Sequence, residues 1–113
     1  THQCVNITAG PDGVGAGVLL RAASIESGLD LVRERRAVRD PDARLAAGPG
    51  RLGQALGITV ADKGIDVLDP ASELGLEIAA RRGPVAAGPR IGISKAVEKP
   101  WRLWLAGHPS VSR

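Results

Sequence analysis

The 113-residue sequence contains no methionine, no phenylalanine and no tyrosine, and its only large aromatics are Trp101 and Trp104. Cores of this size usually hold several aromatic rings, so this one has to rely mainly on aliphatic side chains. A single cysteine, Cys4, excludes an intramolecular disulfide framework and a cysteine-rich zinc site. Cys4 has apolar neighbours and is expected to be a buried packing thiol rather than a nucleophile. No apolar run approaches the 18 or so residues that a transmembrane helix needs. His2 and His108 are far apart and neither sits in a metal-ligand spacing. There is no nucleophile elbow, no Walker loop, and no Gly-x-Gly-x-x-Gly leading into a helix. Gly13-Val14-Gly15-Ala16-Gly17 is glycine-rich, but a strand-like run follows it, so a phosphate cradle is excluded by context. The start at Thr1 lacks a lead-in to the strand-like residues that follow, which suggests a chain whose first part is missing.

What is present reads as a globular chain. Hydrophobic residues are 43% and charged residues 24%, with 15 Lys and Arg against 12 Asp and Glu, a net charge of +3. Twelve of the cations are arginine, which suits bidentate phosphate contacts. A GC-rich genome would enrich arginine as well.

Val5–Thr8 and Gly17–Arg21 flank the turn signal Gly10-Pro11-Asp12-Gly13 and read as a hairpin. The run Val18-Leu19-Leu20 suggests a strand covered on both faces. Ser27-Gly28-Leu29 opens a helix whose Leu29, Val32 and Arg36 share a face, with Arg33, Arg35, Arg36 and Arg39 loading its second half. Asp40-Pro41 starts a short helical turn through Leu45. Pro49–Leu56 reads as a second helix, stopped by Gly57. Another short turn spans Ile58–Gly64. Strand-like alternation is expected at Leu76-Ile78-Ala80, at Arg90–Ser94 and at Trp101–Leu105, before a turn at Gly107-His108-Pro109. Leu19, Leu20, Leu52, Leu56, Ile91, Ile93, Trp101 and Leu103 are the expected core, and Trp104 is expected to pack on the sheet rather than stack on a base. The fold class is α+β: a curved mixed, mainly antiparallel sheet with short helices.

The segments Cys4-Val5-Asn6-Ile7, Gly10-Pro11-Asp12-Gly13 and Val18–Ala22 resemble the alkyladenine (methylpurine, 3-methyladenine) DNA glycosylase family. Ser27-Gly28-Leu29, Gly48-Pro49-Gly50-Arg51-Leu52, Gln54–Ile58, Arg90–Ser94, Pro100–Trp104 and Gly107–Ser112 resemble it in the same order. The resemblance implies that residues 1–113 are the C-terminal portion of one glycosylase domain, with its general base, stacking aromatics and wedge tyrosine upstream of Thr1.

It also implies a monofunctional enzyme of base-excision repair. Such an enzyme flips alkylated or deaminated purines out of duplex DNA and hydrolyses the N-glycosidic bond without metal or cofactor. Asn6 matches the pocket asparagine that crowds the exocyclic amino group of guanine. Arg21 matches an arginine near the flipped nucleotide. His2 would lie at the groove face, and Arg51 and Arg102 are candidate phosphate contacts; none of these is a catalytic residue. The expected partner is duplex DNA holding a damaged purine. The expected state is a cytoplasmic, nucleoid-associated monomer without a membrane role. The alternative is a non-catalytic basic DNA-binding module.

Overall fold

A computed structural model describes residues 3–11, 13, 15–79 and 83–111. The element order is β1 (Val5–Thr8), β2 (Gly17–Leu20), α1 (Leu29–Arg36), α2 (Pro49–Leu56), β3 (Val85–Gly88) and β4 (Arg102–Leu105). Short 3-10 turns occur at Asp42–Arg44 and Val60–Asp62. The α+β class holds, and among the described residues the strands pair as two two-stranded antiparallel sheets rather than one curved sheet. The chain divides into two compact units, one formed by Thr1–Val60 with Pro109–Arg113, the other by Ala61–His108.

In the first unit β1 and β2 pair in the register Val5↔Leu20, Asn6↔Leu19, Ile7↔Val18 and Thr8↔Gly17. The turn between them uses positive φ at Gly10 (95°) and Gly13 (85°), which only glycine adopts without strain. Val5 and Leu20 form one register pair and pack against the core, so their side of the hairpin faces α1 and α2. By alternation Asn6 and Leu19 stand on the other side.

The core is small and helical. Val32, Leu45, Ala46, Leu52 and Ala55 are buried, with Val5, Leu20, Ile25 and Leu29 packed against them. α1 carries Asp30 in its first turn and Arg33, Arg35 and Arg36 in its last, each matching the sign the helix dipole favours. α2 begins on Pro49 and ends at Gly57 in the left-handed conformation, where the Gly57 N–H donates to the carbonyls of Gln54 and Gly53. Gly53 is buried mid-helix. A Cβ there would fall onto the Gln3 carbonyl oxygen and 2.9 Å from its carbon, so the chain entering β1 crosses α2 at a point where only glycine fits.

Arginines knit the helices to the loop between them. Arg36 donates to the Leu45 carbonyl (3.1 Å), Gln54 Oε1 (2.7 Å) and Asp40 Oδ2 (3.2 Å). Arg33 donates to the Asp40 carbonyl and to Asp42 Oδ1. Arg35 donates to the Ala55 carbonyl near the end of α2, and Arg44 to the Val111 carbonyl. Four of the arginines thus serve the fold.

In the second unit β3 and β4 pair as Val85↔Leu105, Ala86↔Trp104, Ala87↔Leu103 and Gly88↔Arg102. The Ala106 N–H extends the pairing to the Pro84 carbonyl. Asp66 and Asp69 accept from backbone N–H groups two residues on and so shape the preceding loop.

Several expectations from the sequence need correction. Leu76–Ala79 is not a strand: the Leu76 N–H donates to the Val67 carbonyl within a loop, and Ala80 lies outside the described residues. Arg90–Ser94 is not a strand either, because Gly92 turns at φ 71° and Arg90 closes the loop onto the Lys95 carbonyl. The strand that pairs with β4 is instead Val85–Gly88, whose alanines and glycine carry little β signal.

β2 is not covered on both faces, since Val18 is 62% and Leu19 41% exposed. Leu56, Ile91, Trp101 and Leu103 are likewise exposed, so they do not belong to the core. In β4 Arg102, Trp104 and Leu105 are half-buried, while Trp101 and Leu103 are exposed. Cys4 is exposed, because it precedes the strand and does not enter the core. Leu20 and Leu52 take their expected places.

Candidate nucleic-acid interface

Asn6 is exposed in the middle of β1, beside Leu19 in the register. Arg21 follows β2 directly and is half-buried. The register continued by one more pair sets Arg21 opposite Cys4, which alternation puts on the Asn6 side of the hairpin. Asn6 thus stands on the exposed side of β1, whereas Arg21 lies just past the end of β2 with its Nε buried.

The backbone around Arg21 is firmly held. Its carbonyl accepts from the Gly48 N–H at 2.8 Å, Ala22 bridges to Ala47, and the Ala23 N–H donates to the Ala46 carbonyl at 3.1 Å. Gly48 lies at φ 134° immediately before Pro49, so the residue that pairs with Arg21 also launches α2. That fixes the end of β2 to the start of the helix carrying Arg51.

Arg51 is part-exposed, with Nη1 3.9 Å from Asp40 Oδ2. Asp40 is held more closely by Arg36, at 3.2 Å, so the Arg51 contact is the looser of the two. His2 lies outside the described residues.

Arg102 belongs to the second unit. Its guanidinium carbon lies 4.5 Å from the centre of the Trp104 ring, and that ring in turn covers Gly88. Trp104 is therefore held between Arg102 and the glycine of β3, half-buried, in keeping with packing on the hairpin. Sequence reasoning missed Trp101, which is 62% exposed with Arg90 5.3 Å and Lys99 5.9 Å from its ring centre. The alternation of Trp101-Arg102-Leu103-Trp104 was legible, but which side faces outward depends on β3.

Among the described residues no group of three His, Cys, Asp or Glu side chains is placed to hold a metal ion. Nor is any described helix long and apolar enough to cross a membrane.

Residues 1–109 match the methylpurine-DNA glycosylase family. The chain belongs to that family. Similar proteins include one from Mycobacterium sp. strain KMS, 53% identical over 111 residues, which cover 98% of this chain and 54% of the relative. One from Mycolicibacterium paratuberculosis K-10 is 51% identical over 113 residues, again 98% of this chain and 54% of the relative. One from Mycobacterium tuberculosis H37Rv is 50% identical over 111 residues, with the same coverage. All three carry the provisional name 3-methyladenine DNA glycosylase. The chain spans about half the length of these relatives.

Proposed function

We propose that the protein to which these residues belong is a monofunctional DNA glycosylase of base-excision repair, acting on alkylated or deaminated purines in duplex DNA. The observation that carries the reading is family membership across residues 1–109, together with relatives of about 50% identity named for 3-methyladenine removal. The hairpin supports it: Asn6 is exposed mid-strand and Arg21 follows the neighbouring strand with its backbone anchored.

In this reading a damaged purine swings out of the duplex and lies against the outer side of β1–β2. Asn6 crowds the position of the guanine amino group, and Arg21 meets the phosphates that flank the extruded nucleotide. Arg51 and Arg102 add phosphate contacts, and His2 meets the groove. Hydrolysis forms a bond from water oxygen to C1′ as the C1′–N9 bond breaks. The bonding electrons leave with the base, and the water proton passes to a carboxylate. Alkylation weakens the bond and improves the leaving group, so an activated water suffices. We assign the activating carboxylate to the part of the relatives' length that this chain does not span. The protein works as a cytoplasmic monomer.

The test is release of free base from duplexes carrying hypoxanthine or 3-methyladenine by the full-length gene product. Release supports the reading, and its absence overturns the enzymatic assignment. The 113 residues by themselves should show no turnover. In the active protein, Asn6→Ala should raise excision of undamaged guanine relative to hypoxanthine by about tenfold, the scale of one lost steric or hydrogen-bond discrimination.

A further inference from the structure

In the second unit, one side of the β3–β4 hairpin carries Val85, Ala87 and Leu103, all exposed, beside the half-buried Leu105, and Trp101 immediately before β4 is exposed as well. Leu103 is 67% and Trp101 62% accessible, so this is an open apolar strip rather than a core face. Two cations attend the indole, Arg90 at 5.3 Å and Lys99 at 5.9 Å from its centre. Arg90 is fixed in place by its bond to the Lys95 carbonyl.

Charge is sharply segregated along the same unit. Residues 61–80 hold five carboxylates and one lysine, whereas residues 81–105 hold six cations and one carboxylate, Glu98. Two of the acids, Asp66 and Asp69, are engaged in the turns of their own loop. Arg81 and Arg82 lie outside the described residues. The stretch that bears the open ring is therefore the basic one.

We infer that the β3–β4 hairpin is a second nucleic-acid contact, in which Trp101 stacks on a base of single-stranded DNA while Lys99 and Arg90 meet the adjoining phosphates. The strand alternates planar bases with anionic phosphates, and the hairpin presents an exposed planar ring with Arg90 and Lys99 over it, so that the cations exchange the ring for phosphates as a base stacks in their place. An anionic vesicle would match the charge but not the pairing of each cation with the ring. The contact goes beyond base removal: it binds undamaged strand and needs neither Asn6 nor Arg21.

The experiment uses the full-length gene product and a labelled, undamaged single-stranded oligodeoxynucleotide, read by fluorescence anisotropy over a series of salt concentrations. Trp101→Ala should weaken binding about tenfold, the size of one base–aromatic stack, and Trp101→Phe should keep most of the affinity. Lys99→Ala should lower the slope of log affinity against log salt by about 0.7, one single-strand phosphate's worth. Iodide should quench the Trp101 emission, identified by difference against Trp101→Phe, in the free protein and less so with DNA bound.

Unchanged affinity in a Trp101→Ala protein with a wild-type circular dichroism spectrum overturns the inference. So does an indole already shielded from iodide without DNA, because another part of the protein or a second copy then covers it. Binding to anionic vesicles with none to the oligonucleotide also overturns it. These readouts are separate from base release: a protein that binds strand but releases no base would sink the repair assignment and leave this contact standing, and the converse holds.

Discussion

Arg36 illustrates how a charged side chain is diverted from ligand to scaffold. Its side chain is only 9% exposed, and it satisfies the Leu45 carbonyl, Gln54 and Asp40 together. Arg36→Ala should destabilise the protein by about 2–3 kcal/mol, since a hydrogen bond to a charged group is lost and a buried carbonyl is left bare. Arg51→Ala, whose Asp40 contact is long and part-exposed, should change stability by less than about 1 kcal/mol. Urea unfolding of the two variants distinguishes these roles; equal losses would show that Arg51 is as structural as Arg36. Leu45 is fully buried at the centre of the core. Leu45→Ala should cost about 2–5 kcal/mol, because the aliphatic neighbours can only partly close the cavity.

At the scale of elements, Gly53 sets the approach of β1 to α2. Alanine is the better helix former by about 1 kcal/mol, which favours a Gly53→Ala replacement in isolation. Here the new methyl meets the Gln3 backbone, which cannot rotate away, and overpacking of that kind costs about 1–3 kcal/mol. The net expectation is destabilisation, seen as a lower melting temperature; a rise would show that the Gln3 crossing is readily displaced.

The same scale shows what the sequence could and could not reveal. Both helices were readable because their limits carry chemistry of their own: Gly28 before Leu29, Pro49 at the first turn, Gly57 at the stop. The β1–β2 hairpin was readable from its Gly-Pro-Asp-Gly turn and β-branched residues. β3 was not, because Val85-Ala86-Ala87-Gly88 has neither bulk nor alternation, and its strand character comes from pairing with β4. The exposures of Leu19 and Trp101 also escaped a reading by periodicity, which finds two faces but cannot say which is covered. For the candidate site, Asn6 and Arg21 rest on the resemblance alone, since no spacing or periodicity in the sequence singles them out. The Gly48 bond that anchors Arg21 appears only in three dimensions.

For the whole molecule, the division into two units separates candidate tasks. Asn6, Arg21 and Arg51 belong to the unit with the helical core, while Arg90, Lys99, Trp101 and Arg102 belong to the other. Arg21→Ala should lower affinity for lesion-bearing duplex by about 1–3 kcal/mol if its charge meets phosphate as proposed. It should leave affinity for undamaged single strand nearly unchanged. Competition binding with the two substrates measures this, and an equal loss on both would assign Arg21 to general electrostatics.

Gly88 gives the second unit an incidental virtue. A Cβ there would come within 3.1 Å of the Trp104 ring, so the bare backbone is the berth in which the indole rests. Filling that berth, as Gly88→Val would, evicts the indole into water and reddens its emission. The hairpin thus carries its own spectroscopic gauge, one that reports whether the two strands are still zipped independently of anything bound to them.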